Sequence, residues 1–215
     1  MHQLSELIAR EQEKFAANDF FYRLTDRTRP LEQRLSFLPR MSHFIMSFAD
    51  INQFVLPFSA PKDQWERAVN QHAHEDANHW PWFIHDLQQL AIDHSAPLSD
   101  TLRFLWSEQL AASRQLTYQL IAMIANQPAK IRLVVIEVME ATGSVMFTAL
   151  SSAIVDSGLT LKFCGDLHLS HESGHAANAA VSTIDDLPFS ADEYREVQAI
   201  IHQGFTAFTH FVHRL

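Results

Sequence analysis

One cysteine, five glycines and no long uninterrupted apolar run are the first features of this 215-residue chain. A single thiol, Cys164, excludes an intrachain disulfide and a CxxC zinc knuckle. Scarce glycine, together with the lack of any strand–turn–strand alternation, argues against a β architecture. No stretch approaches the roughly 18 or more uninterrupted apolar residues of a membrane helix. The first residues, MHQLSELIAREQEKFAAN, are amphipathic and charged rather than signal-like. Basic residues are also in deficit: Lys and Arg total 16 against 25 Asp and Glu, for a formal net charge of −9. An acidic chain without a basic stripe has no footprint for nucleic acid. The expectation is a soluble, cytoplasmic protein whose partners are small molecules, with neither nucleic acid nor membrane; a homodimer is left open.

What the chain does have is apolar mass with helical periodicity. Hydrophobic residues make up 47%, including sixteen phenylalanines, enough for a sizeable core. Period-3.6 segments predict a first helix over about 3–17, broken at Asn18-Asp19. A second is expected from Pro30 to about Leu56, with Pro39 bending it or splitting off its first turn. A third is expected over about 61–93, kinked just after His79 by Pro81. The fourth is placed from a Ser99 cap to about Asn126, and the fifth from Pro128 to about Ser157, stopped by Gly158. A sixth covers about 165–181. The last begins at Ser190, which has capping-box spacing to Glu193. The prediction is one all-α domain over residues 1–215, a bundle of about seven helices.

Histidine is in excess, thirteen in all, and it is clumped: four lie within His72–His85 and three within His168–His175. In the first cluster His72, Glu75, Asp76 and His79 fall within roughly a 100° arc of a helix, whereas His74 and His85 point nearly the opposite way. In the second, His168, Glu172 and His175 share one face at offsets of four and seven. Between them an apolar helix carries Glu137 and Glu140. Carboxylates are costly to bury without a cation, and a metal ion compensates them directly. Mixed imidazole and carboxylate ligation suits iron, manganese or zinc rather than calcium. The HExxH signature of zinc hydrolases is absent, because His74-Glu75 is followed by His79, one residue too late. The two acid-x-x-His pairs, Asp76–His79 and Glu172–His175, with an added glutamate, repeat the logic of di-iron carboxylate bundles. The isolated His43, His94, His202, His210 and His213 are read as ordinary side chains.

The run His72-x-x-Glu75-Asp76-x-x-His79-x-x-Trp82, then Asp86-Leu87, Glu140 and His168-x3-Glu172-x2-His175, resembles the haem-oxygenase-like di-iron oxidases and oxygenases. The segment from Phe37-Leu-Pro39 through Phe58 is similar to the second helix of that group, so the resemblance spans about residues 30–180. It implies a seven-helix haem-oxygenase-like bundle with a non-haem centre of two irons that activates O2. Manganese or partial occupancy is compatible with it, since members are prone to lose a metal. Members carry out N-oxygenation, C–C cleavage or desaturation of amino acids and fatty acids, so the resemblance implies an O2-dependent oxidoreductase acting on an amino-acid-like or fatty-acid-like substrate. Residue by residue, His168, Glu172 and His175 match the C-terminal motif, with Glu172 where aspartate is common; Glu140 matches the fifth-helix glutamate and His79 the third-helix histidine. Glu75 is taken as the third-helix carboxylate, with His72 as a further ligand and Asp76 as the alternative; Asp50 and Glu137 stay open. Two other readings stand beside it. A thiaminase-type hydrolase of the same fold would need Cys164 as nucleophile, and a helical metal-binding protein would need no turnover. Haem degradation fits less well, since one axial histidine would suffice and the carboxylates would go unexplained.

Overall fold

The computed structural model describes residues 4–170 and 184–215. Within them the chain is helical with no strand, as its periodicity predicts. Helix α1 (Leu4–Ala16) is followed by a short α2 (Asp19–Thr25). Asn18 breaks the first helix and also starts the next, its side chain accepting from the Phe20 amide. The expected second helix is divided at Pro39: α3 (Leu31–Arg34) is a single turn, and α4 (Leu38–Asp50) starts with Pro39 in its first turn, where the missing amide costs nothing. A π-helical turn, Ile51–Val55, extends α4.

The expected kinked third helix is instead two helices. Helix α5 (Gln64–Asp76) stops at the second turn before Pro81, and α6 (Trp80–Gln89) begins anew with Pro81 in its first turn. His79 is the residue that caps α6, so Pro81 breaks the helix rather than bending it. The fourth segment is likewise divided, into α7 (Leu98–Leu105) and α8 (Ala111–Ile124), joined by a 3-10 turn. Pro97, not Ser99, precedes α7. After α8, Asn126 takes a left-handed φ of 62°. The long α9 (Ala129–Ile154) follows Pro128, and Gly158, at φ 70°, lies four residues past its end. Residues 166–170 are helical, and α10 (Ala191–Val212) carries the expected Ser190–Glu193 capping box with both reciprocal bonds formed.

Helix α9 is the axis of the fold. Helices α1, α2, α5, α8 and α10 all pack against it. Its most apolar 18-residue window has a mean hydropathy of 1.6, so by length and composition alone it could cross a membrane, but 56% of that window is buried inside the bundle. The core around it is rich in phenylalanine, with Phe15, Phe20, Phe21 and Phe37 in successive edge-to-face contacts. Buried Arg132 of α9 locks the π-helical end of α4. Its guanidinium donates to the carbonyls of Val55 (3.0 Å) and Leu56 (2.5 Å) and sits 4.0 Å from the centre of the Phe58 ring. Asn70 of α5 then pins the following connection, exchanging bonds of 2.7 and 2.8 Å with the Phe58 backbone. These ties fix α5 against α9, and both carry site residues.

The α9–α10 contact depends on Gly204, where a β-carbon would lie 2.8 Å from Cγ1 of Val138. Helix propensity favours alanine over glycine by about 1 kcal/mol, but overpacking costs about 1–3 kcal/mol, and a β-branched valine in a helix has little rotamer freedom with which to yield. Gly204→Ala is therefore expected to be destabilising in denaturant titration, and the same substitution in a Val138→Ala background to be neutral or stabilising. An equal effect in both backgrounds would show that the close approach is not what holds Gly204 in place.

Candidate metal centre

Four separate elements deliver polar side chains to one place. His72 and Asp76 come from the last turns of α5, His79 from the break before α6, Glu140 from the middle of α9, and His168 from the turn at 166–170. Nε2 of His72 lies 3.2 Å from a carboxylate oxygen of Asp76, and its Nδ1 lies 3.6 Å from Glu140. Each of these three residues offers a ligand atom within 4.8 Å of the others. His72 and Asp76 are nearly inaccessible, with side chains 11% and 3% exposed. Two carboxylates facing one imidazole in an apolar setting call for positive charge, supplied either by a proton on the ring or by a metal ion.

Beside this group the rings of His79 and His168 meet edge to face at 4.7 Å. His79 stacks on Trp82 at 4.7 Å, nearly parallel. His168 is enclosed by Phe147 and Phe163, with ring centres at 3.8 and 4.8 Å. Its Nδ1 lies 3.1 Å from the Phe163 carbonyl. That carbonyl can only accept, so it holds the proton on Nδ1 and leaves Nε2 as the lone-pair nitrogen, the arrangement commonly found behind a metal-bound histidine. The donor set is therefore chemically suited to a borderline or hard divalent ion such as Fe, Mn or Zn.

Of the residues expected at the site, His72, His79, Glu140 and His168 are brought together. Asp76, held as the alternative, joins them; Glu75 is half-buried, its carboxylate accepts from Gln71 at 3.1 Å, and among the described residues it is not one of the three whose ligand atoms lie within 4.8 Å of one another. Glu172 and His175 lie outside the described residues, as does His171. Glu137 and Asp50 are exposed, as is His74. Arg40 donates to the backbone oxygens of Arg214 and Leu215 at the C-terminal end of the chain.

Asp86, part of the run that carries the resemblance, holds backbone. It is completely buried. One oxygen accepts from the Lys162 amide (2.7 Å), with Nδ1 of His85 at 3.0 Å, and the other accepts from the Cys164 amide (2.8 Å). A single carboxylate of α6 thus clamps the loop that carries the Phe163 carbonyl and His168. The sequence signal for this was available only as an acidic residue inside an apolar helix. The same arrangement bears on Cys164. Burial pushes its thiol well above the usual range, and the neighbouring Asp86 charge and hydrogen bond push in the same direction. A buried, protonated thiol beside a carboxylate is poorly placed as a nucleophile.

No protein-family model matches the chain, and no curated protein matches it.

Replacing Asp86 by asparagine keeps the shape but turns one acceptor into a donor facing an amide. Charged hydrogen bonds are worth about 1.5–3 kcal/mol each, so Asp86→Asn is expected to lower unfolding free energy by about 2–3 kcal/mol. It should also weaken divalent-metal affinity by about 10–100-fold, the usual cost of losing a group that orients a ligand. Denaturant titration and metal competition against a chromogenic chelator measure the two effects. A stability loss with unchanged metal affinity would detach the clamp from the site.

Proposed function

We propose that this chain is a non-haem, O2-activating oxidoreductase with the haem-oxygenase-like bundle, holding two iron ions. The observation that carries the reading is the convergence of His72, Asp76, Glu140, His79 and His168, from elements far apart in sequence, beside a small cavity of about 80 Å³. Asp76, Glu140, His79 and His168 line that cavity directly. Iron in this donor set would supply the electrons that O2 reduction requires.

The chain's own residues divide the work. His72, Asp76 and Glu140 would hold one ion through nitrogen and oxygen atoms already within 4.8 Å of one another. His79 and His168, with Glu172 and His175 of the C-terminal motif, are proposed to complete a second position; manganese is compatible with the same donors. The Phe163 carbonyl fixes the His168 tautomer, and Asp86 fixes the loop that bears it. Phe147, Phe163 and Trp82 surround the two imidazoles and keep water from them, which strengthens every electrostatic interaction inside. A cytoplasmic setting, with reduced iron at hand, belongs to the same reading. The thiaminase-type alternative would need Cys164, whose burial and protonation speak against it.

The test is anaerobic loading with Fe(II), iron analysis, and exposure to O2. The expectation is two irons per chain and O2 consumption accompanied by a transient absorbance change. His168→Ala and Glu140→Ala should each reduce bound iron to one or fewer, while Glu137→Ala should leave it unchanged. A chain that takes up no iron, or takes it up and consumes no O2, would overturn the proposal.

A further inference from the structure

A second cleft, of about 350 Å³, shares no lining residue with the cavity beside the histidines. Arg23 of α2, Arg29 of the turn after it, Arg34 of α3, Arg40 of α4 and Arg214, just past α10, all line this cleft, together with His213. Those arginines are a large share of the 16 Lys and Arg residues in a chain of net charge −9. Among the described residues no Asp or Glu lines the cleft. Arg23 is paired with Asp19 (3.1 Å) and Arg29 with Asp26 (3.6 Å). Arg34 and Arg40 instead donate to main-chain oxygens: Arg34 to those of Leu24, Arg29 and Ala153, Arg40 to those of Arg214 and Leu215. A carbonyl satisfies a donor but cancels no charge. Burial, and then the nearby Arg23 charge, push the Arg40 guanidinium below its ordinary value, so the like charges are close enough to oppose one another.

We infer that this cleft is a second ligand site, one that takes the phosphate group of a small soluble molecule. The inference goes beyond the proposed oxidoreductase and does not rest on it. Among the described residues Arg34, Arg40 and Arg214 meet no carboxylate side chain, so the cleft carries a surplus of positive charge that a dianion matches better than a monocarboxylate. The planar guanidinium fork is the side chain best suited to phosphate oxygens. The volume lies within the range of small-molecule sites, roughly 300–1,000 Å³. Arg34 is tied to α2 and α9, and Arg40 to residues 214 and 215, so both are positioned before a ligand arrives, which lowers the ordering cost of binding. Their main-chain bonds alone would not require Arg23, Arg29 and Arg214 to border the same cleft. A phospholipid surface is the less favoured source of the phosphate, because a chain of net charge −9 is repelled by an anionic membrane.

The test is calorimetric titration of the full chain, at constant ionic strength, with pyrophosphate, glycerol 3-phosphate and acetate, and a sedimentation assay with vesicles of phosphatidic acid in phosphatidylcholine. Saturable binding of both phosphate compounds is expected, with acetate at least about tenfold weaker. Arg214→Gln and Arg29→Gln should each weaken pyrophosphate binding by about tenfold or more, the loss of one charged hydrogen bond. Both side chains are exposed, so the thermal midpoint without ligand should stay unchanged. Arg103→Gln, which removes an exposed arginine outside the cleft, should leave binding as it was. The inference is overturned if neither phosphate compound binds saturably at millimolar concentration, or if acetate binds as tightly. Equal weakening by Arg103→Gln and Arg214→Gln would also overturn it, since diffuse surface charge would then suffice. So would binding to the vesicles alone, which would assign the arginines to a membrane surface. Arg214→Gln should load iron as the native chain does, so failure of phosphate binding and failure of the di-iron reading are separate results.

Discussion

Burying carboxylates in an apolar bundle is the constraint on which the rest of the structure turns. Asp86 is wholly inaccessible and Asp76 nearly so, and Glu140 projects from the most apolar helix of the chain. An isolated charge there would cost several kcal/mol after relaxation. The two aspartates meet this cost in different ways. Asp86 spends its charge on backbone amides of the 162–164 loop and on His85. Asp76 shares His72 with Glu140. The first solution is saturated by the protein itself and is structural. The second gathers two carboxylates and an imidazole in one place, a donor set that would also suit a cation.

The helix breaks give these carboxylates their geometry. Had residues 61–93 formed one kinked helix, His72 and His79 would sit two turns apart on one face. The break at 77–79 instead turns His79 toward His168 and Trp82, while His72 stays with Asp76 and Glu140. Pro81 is the covalent cause, since it cannot donate within a continuing helix and restricts the residue before it. One residue of the sequence thus separates two neighbouring groups of donors.

This explains what could be read from the sequence and what could not. Helix positions dominated by local chemistry were legible: the Ser190–Glu193 box, Pro128 before α9, Pro39 at the start of α4. So were the residue types of the site, because histidines and carboxylates repeated on an apolar background have few other reasons to be there. The choice between Glu75 and Asp76 was not legible. On a helical wheel both lie within the same arc, and that Asp76 meets His72 and Glu140 among the described residues is a tertiary fact, set by where α9 lies against α5. The task of Asp86 was equally hidden, because its partners are backbone amides some 76 and 78 positions away. Backbone donors carry no signature in a sequence. The additional helix α2 escaped notice because its seven residues are too few to establish a period, although the Asn18 cap was a usable signal.

The arrangement also couples the site to the fold. Glu140 belongs to the helix against which α5 and α10 pack, and His168 hangs from a loop held by Asp86 of α6. A cation drawing His72, Asp76 and Glu140 together would tie α5 to α9, and one engaging His79 and His168 would tie the break before α6 to the 166–170 turn. Each tie adds to contacts that the apolar core already makes through Arg132, Asn70 and Asp86. Preformed contacts of this kind reduce the ordering cost of binding, since the donors need not be gathered from a disordered chain. A metal bound by these donors would add to the stability of the bundle by linkage. The same logic keeps the apolar body of the cavity open: its walls are held apart by helices whose packing is fixed elsewhere, so a void beside the charged group persists where a looser core would collapse into it.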